Sequence, residues 1–328
     1  MRSAHAVVVA FSGVATEVIK NLVLAGIGAL TIIDAGHVTE QDLSASFFFR
    51  PEDVGAPRTA EPPLQRIRAL NPNVDVRGVA HDGVLSRETL ERMRPDVLIA
   101  TAGTQAELEA WNTLCRELGA LFYATSAQGL GGFVFSDLGP AHEYVAQRNE
   151  PGSAEKRSIK YRQTFVPLSE SLRATWNKTH PGDGLLVRPV RRMAPGLWAT
   201  WALWAWQACA AGQAPPADSA ELARTLEAEA VALCAAKGVD AEQVFERQRV
   251  DRHAFFVQFA RVTFDNVVHG SAASFAPTAA ILGGLLAQDA LNALGRREEP
   301  IANWLVLDAA QGVAPVHAIG VAPAEEVK

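Results

Sequence analysis

The chain has 328 residues, 30 basic against 36 acidic, for a formal charge of −6. It is long enough to bury a large core as one big domain or two smaller ones, and its acidic balance gives no electrostatic footprint for nucleic acid. It shows no secretory leader pattern, three widely spaced cysteines that suit neither a disulfide framework nor a thiolate zinc site, and eight histidines with no H-E-x-x-H arrangement.

Residues 6–10 form a continuous apolar run, suited to a parallel strand buried on both faces. A tight turn at Phe11-Ser12-Gly13 leads into a helix with Val14, Val18, Ile19, Leu22 and Val23 at helical spacing, closed by Gly26 and Gly28 as a left-handed cap or turn. A second strand over 30–33 ends in Asp34. That lies about 20 residues past the first turn, where dinucleotide- and ATP-binding folds set an acidic residue against a ribose hydroxyl. A working phosphate turn needs glycines, so that backbone N–H groups reach the anion with no Cβ in the way. Only Gly13 survives here, among Ala10, Phe11, Ser12 and Ala15. The sequence predicts a nucleotide-binding architecture that has lost its ligand. Gly13 and Asp34 are then vestigial cofactor positions, and no catalytic or metal-binding residue is expected.

From 35 to 57 there is no strong period, and Phe47-Phe48-Phe49 is expected to anchor a loop onto the core or a partner. A helix is expected over 59–70, interrupted at its start by Pro62-Pro63, then a strand over 74–79, a helix over 86–93 and a strand over 96–101. A helix over 107–118, a strand over 121–124 and a turn at 129–132 into 133–135 follow. This alternation predicts the α/β class, with a doubly wound, mostly parallel, Rossmann-like sheet. Residues 147–160 are polar and read as a mobile loop. Helical patterns at 168–176, 196–211, 218–237 and 240–249 then predict an inserted helical subdomain. Trp198, Trp201 and Trp204 form one stripe there, with Trp206 beyond. Their apolar stretch falls short of the roughly 20 residues needed to span a bilayer, so a buried helix is expected and no membrane contact. The cluster Arg188-Pro189-Val190-Arg191-Arg192 reads as a solvated loop, and Cys115, Cys209 and Cys234 as small apolar packing residues. The sheet resumes late, with a helix from 275 to 294, in which Gly283-Gly284 mark a tight contact, and a last strand over 304–308.

Several runs carry a resemblance: 15–28 with 30–34, Val38-Thr39-Glu40-Gln41-Asp42-Leu43, Phe47-Phe48, Glu52-Asp53-Val54-Gly55, Leu70-Asn71-Pro72, Phe275-Ala276-Pro277, 279–284 and Ala287-Gln288-Asp289. Together they resemble the activating enzymes of ubiquitin-like proteins, and within them the smaller, catalytically inactive subunits of the SUMO-activating type. The likeness is weak between 140 and 255. It implies a ThiF/MoeB-type adenylation fold whose first part spans 1–146. Residues 147–257 would be a linker and the helical half of a cysteine-type domain without the catalytic cysteine, and 258–328 the return to the adenylation fold.

That family pairs an active fold with an inactive one, and this chain matches the inactive half. Where the active fold has an Asn-x-x-Arg-Gln-like phosphate grip, the sequence reads Leu43-Ser44-Ala45-Ser46-Phe47. Arg58 stands at the phosphate lysine and Gly103 at the magnesium-binding aspartate, a loss that leaves the developing phosphate charge unneutralised. Neither Cys209 nor Cys234, both in alanine-rich helical patterns, is assigned as the thioester nucleophile. The resemblance implies a chain inactive alone that binds no cofactor, with Mg-ATP held by a larger catalytic subunit in a heterodimer. SUMO would be handled through that complex, in the nucleus mainly and also in the cytoplasm. The family's inactive subunit begins with an arginine-bearing helix that reaches the partner's ATP, whereas this sequence starts at Met1-Arg2-Ser3-Ala4, where that helix would already have ended. Two alternatives stand beside this expectation. The regulatory subunit of the neddylation-activating enzyme shares Ser3-Ala4-His5 but carries a much longer helical insertion. A nicotinamide-dependent oxidoreductase could use the same fold, although the lost glycines and the lack of a Tyr-x-x-x-Lys pair oppose it.

Overall fold

The computed structural model describes residues 1–80, 85–149, 156–174, 193–210, 216–269 and 275–327. Strand β1 (His5–Val9), helix α1 (Gly13–Leu24) and strand β2 (Ala29–Ile33) open the chain. Gly26 takes the left-handed conformation beyond α1. Gly28 serves a different purpose from a cap: a Cβ there would lie 2.6 Å from the Arg2 carbonyl oxygen. A short α2 (Asp42–Ala45) precedes α3 (Glu61–Arg68). Pro62 and Pro63 do not interrupt α3 but start it, because proline's fixed φ and missing N–H suit a first turn that has no helical acceptor. Strand β3 (Asp75–Val79), α4 (Arg87–Met93), β4 (Val97–Ala100), α5 (Gln105–Leu118), β5 (Leu121–Gln128) and β6 (Gly131–Asp137) complete the alternating part.

Two strands occupy ground expected to be a mobile loop. β7 (His142–Asn149) and β8 (Lys156–Gln163) pair antiparallel. The tally of polar residues missed what their cross-strand partners do. Tyr144 stacks on Tyr161 with ring centroids 5.5 Å apart, Arg148 lies over the Tyr161 ring, and Glu143 takes Lys160 and Arg162 at 2.7 Å each. Residues 150–155, within that expected loop, and the basic cluster at 188–192 lie outside the described residues.

The helical part comprises α6 (Leu168–Arg173), α7 (Pro195–Cys209), α8 (Ser219–Ala236), α9 (Ala241–Arg247) and α10 (Arg252–His269). The last was not expected, and it runs on through residue 257. α11 (Ala276–Gly295), β9 (Trp304–Asp308), β10 (Val316–His317) and β11 (Glu325–Glu326) end the described chain. The main sheet has the order β10-β9-β6-β5-β4-β1-β2-β3, while β11 joins β8 and β7 in a three-stranded sheet. β3, β2, β1, β4 and β5 are parallel, and β6, β9 and β10 are added antiparallel.

Helices cover both faces, as a sheet of buried apolar strands requires. On one face α1, α3 and α11 pack in one core; on the other α4, α5, α7, α8 and α10 form a second. The tryptophan stripe lies in this second core: Trp198 and Trp201 meet edge to face at 5.5 Å, and Trp201 and Trp204 close on Trp304. Trp304 Nε1 donates to Ser171 Oγ at 2.8 Å, tying α6 to the sheet. Among the described residues no helix is long and apolar enough to cross a membrane. Cys115 and Cys234 are buried, and desolvation pushes each thiol up to about 12. Cys209 departs from the expectation and is exposed at the end of α7.

Candidate functional site

The sheet order reverses between β1 and β4, and ligands of doubly wound sheets sit beyond the strand ends at such a point. The residues expected to hold a nucleotide converge there, but on one another. Ala10 adopts a left-handed φ of 67°, which costs an alanine about 1–2 kcal/mol. It is held by an N–H bond to the Ile33 carbonyl at 2.9 Å and by Thr101 Oγ1 donating to its own carbonyl at 2.8 Å.

Phe11 comes next, and its side chain closes the turn. Its ring is buried against Phe49 and Phe48, with centroids 4.7 and 6.2 Å away. Two of the three phenylalanines at 47–49 therefore anchor their loop on the core, while Phe47 is exposed. Ser12 caps α1: its Oγ accepts from the Ala15 N–H at 3.2 Å and donates to Thr101 Oγ1 at 2.9 Å. Thr16 Oγ1 lies within bonding distance of the Ser12 carbonyl and of Ser46 Oγ. The free N–H groups that make a helix start attractive to phosphate are thus buried, with Gly13 among them.

Asp34 is buried too. One carboxylate oxygen accepts from the Phe11 N–H and the other from the Gly36 N–H, both at 2.6 Å. Arg58 stands 3.6 Å from it and turns its Nε and Nη2 to Asp42, the nearest approach being 3.0 Å. The guanidinium side chain is 12% exposed and each carboxylate side chain 5%. Asp42 also accepts from the Thr39 N–H at 2.9 Å. Arg58, at the position the resemblance gives to a phosphate lysine, is spent on two acids of its own chain. Gly103, at the position of the metal-binding aspartate, has φ of 147°, and a Cβ there would press on Trp111 and Leu108 at 3.1 and 3.2 Å. A carboxylate at 103 would sit in strained backbone and press on both of these side chains.

Gly13, Asp34, Arg58 and the 101–104 turn are therefore brought together as the sequence implies. Three contributors escaped it: Asp42 as counter-ion, Phe11 as plug and Thr101 as clamp. Asp42 lies 16 positions before Arg58, a separation no periodicity encodes.

The ThiF family pattern matches residues 1–321, and the chain belongs to the ThiF family. Among individual proteins it is similar to the DNA damage tolerance protein RHC31 of Saccharomyces cerevisiae, 29% identical with 94% of this chain and 88% of that protein covered. It is also 27% identical to SUMO-activating enzyme subunit 1 of Rattus norvegicus, with 98% and 89% covered. The DNA damage tolerance protein rad31 of Schizosaccharomyces pombe is 26% identical, with 97% and 90% covered.

Proposed function

We propose that the chain is the non-catalytic subunit of a heterodimeric SUMO-activating enzyme, completing the adenylation and thioester-forming unit of a larger catalytic partner. The observation that carries this is the cradle closed by Phe11 and by the Asp34–Arg58–Asp42 cluster, in a chain similar over nearly its whole length to SUMO-activating enzyme subunit 1. With no phosphate turn and no metal carboxylate, the chain keeps the fold as a surface for a partner and leaves Mg-ATP to that partner. Residues 147–257 then supply the helical half of a shared cysteine domain, without a nucleophile. The complex acts mainly in the nucleus, and a fluorescent fusion would locate it.

The nicotinamide alternative needs the same open pyrophosphate turn that Phe11 and Ser12 close. ATP–pyrophosphate exchange tests the proposal. The purified chain alone should give none, and adding a larger activating subunit with SUMO should produce it. Exchange by the chain alone, or no association with such a subunit, would refute it.

A further inference from the structure

Away from the filled cradle, a cavity of about 330 Å3 opens between α10, the β5–β6 turn, the end of β9 and the start of α7. That is within the range of small-molecule sites, about 300–1,000 Å3. Its walls are mainly apolar, with Phe255 and Phe259 of α10 facing Val306 and Leu307 of β9. Two features make it more than a packing fault. The first is charge. Asp251 and Asp308 line it, and among the described residues no lysine, arginine or histidine does. One oxygen of each acid accepts a local backbone N–H, from Ala254 at 2.7 Å and from Gln311 at 3.0 Å. Neither acid forms an ion pair among the described residues, so two negative charges flank an apolar hollow with no cation paired to them there.

The second feature is Gln128, at the end of β5 and only 9% exposed. Its carboxamide oxygen is 3.3 Å from Thr200 Oγ1, and its amide nitrogen meets no acceptor among the described residues. An amide donor that opens onto a cavity can be satisfied there by a ligand oxygen.

The geometry points to a binding site for a small aromatic cation: a ring seated among Phe255, Phe259 and Leu307, an ammonium group held by Asp251 and Asp308, and an oxygen acceptor for Gln128. Anionic ligands of the same shape are repelled by the two acids, beside which no basic residue among those described lines the cavity. The site stands apart from the proposed subunit function and does not depend on it.

Tyramine has these three parts, and 4-hydroxyphenylacetate is its near-isosteric anion. Titrating each into the full chain by calorimetry should give saturable tyramine binding with Kd below about 1 mM, at least tenfold tighter than the anion. Ala254 is exposed on α10 and lines the cavity, so Ala254→Trp should fill the hollow and abolish binding. The double variant Asp251→Asn, Asp308→Asn keeps both backbone acceptors and should erase the preference between the two compounds. Absent tyramine binding, binding that survives Ala254→Trp, or a preference that survives the double asparagine variant would each overturn the site.

Discussion

Arg58 is a single guanidinium between two buried carboxylates. Removing it leaves both acids desolvated with no cation, the circumstance in which breaking a buried pair costs about 3–5 kcal/mol. Arg58→Ala should lower unfolding stability by that order in urea. Arg58→Lys should recover only part, since an ammonium lacks the fork that reaches Asp42 through both Nε and Nη2. A loss below about 1 kcal/mol in the alanine variant would show that the cluster is not buried as described. Phe11 poses the complementary test. Phe11→Gly gives the turn back a glycine but leaves a hole beside Phe49, so stability should fall by about 3–5 kcal/mol. ATP affinity should still be undetectable by calorimetry, because the Asp34 oxygens, the Arg58 guanidinium and position 103 remain as they are. Micromolar ATP binding by this variant would mean that the phenylalanine alone bars the nucleotide.

At the scale of elements, α1 and α11 touch where Gly283 faces the first helix. A Cβ at 283 would stand 2.5 Å from Glu17 Cβ and 3.0 Å from the Val14 carbonyl oxygen, whereas one at 284 would meet nothing within 4 Å. Gly283→Ala should therefore destabilise by about 1–3 kcal/mol through overpacking. Gly284→Ala should stabilise by up to about 1 kcal/mol through helix propensity alone. Thermal midpoints moving in the same direction would remove the close contact as the reason for glycine. The sequence pointed to this contact but could not say which glycine made it, because the distinction lies in how one helix is rotated against another. Elements with their own periodicity were legible: β1, α1, β2, β4, α5, α7, α8 and β9 fall within a few residues of expectation. β7 and β8 were not, because their stability comes from pairs such as Tyr144–Tyr161 and Glu143–Arg162 that exist only once the strands are in register. The candidate site divides the same way. Missing glycines are a local signal, whereas the Arg58–Asp42 pair and the seating of Phe11 on Phe49 are tertiary facts.

Over the whole molecule, three buried titratable groups shape how stability follows pH just below neutrality, and they do not all pull one way. His142 is buried at the start of β7, its Nε2 meeting no partner among the described residues, and desolvation, helped by Arg296, pulls it down to about 4. His317 of β10 is pulled to about 4 by desolvation, and its Nε2 accepts the Ala194 N–H where α7 begins. Between about 4 and the ordinary histidine value of about 6.5, the unfolded chain binds protons at both sites and the folded chain does not. Their stabilising effect is whole above that ordinary value and is lost as pH falls toward 4. Asp289 works against them. Desolvation raises it to about 6, while it accepts from Tyr123 Oη and the Ile301 N–H. Below that value the folded chain takes a proton that the unfolded chain refuses until about 4. Between pH 6 and 5, above the range in which the depressed carboxylates Glu143, Asp53 and Glu227 begin to add their own loss, two protons favour unfolding and one opposes it, so stability should fall by about 1.4 kcal/mol per pH unit. Urea unfolding at half-unit intervals measures the slope. In the double variant His142→Phe, His317→Gln the ring stack on Tyr144 and the acceptor for Ala194 are kept while both titrations are removed. Its slope over the same interval should reverse sign, because Asp289 then outweighs the depressed carboxylates, which titrate lower. A variant that still loses stability on acidification as steeply as the parent would place the acid sensitivity elsewhere in the molecule.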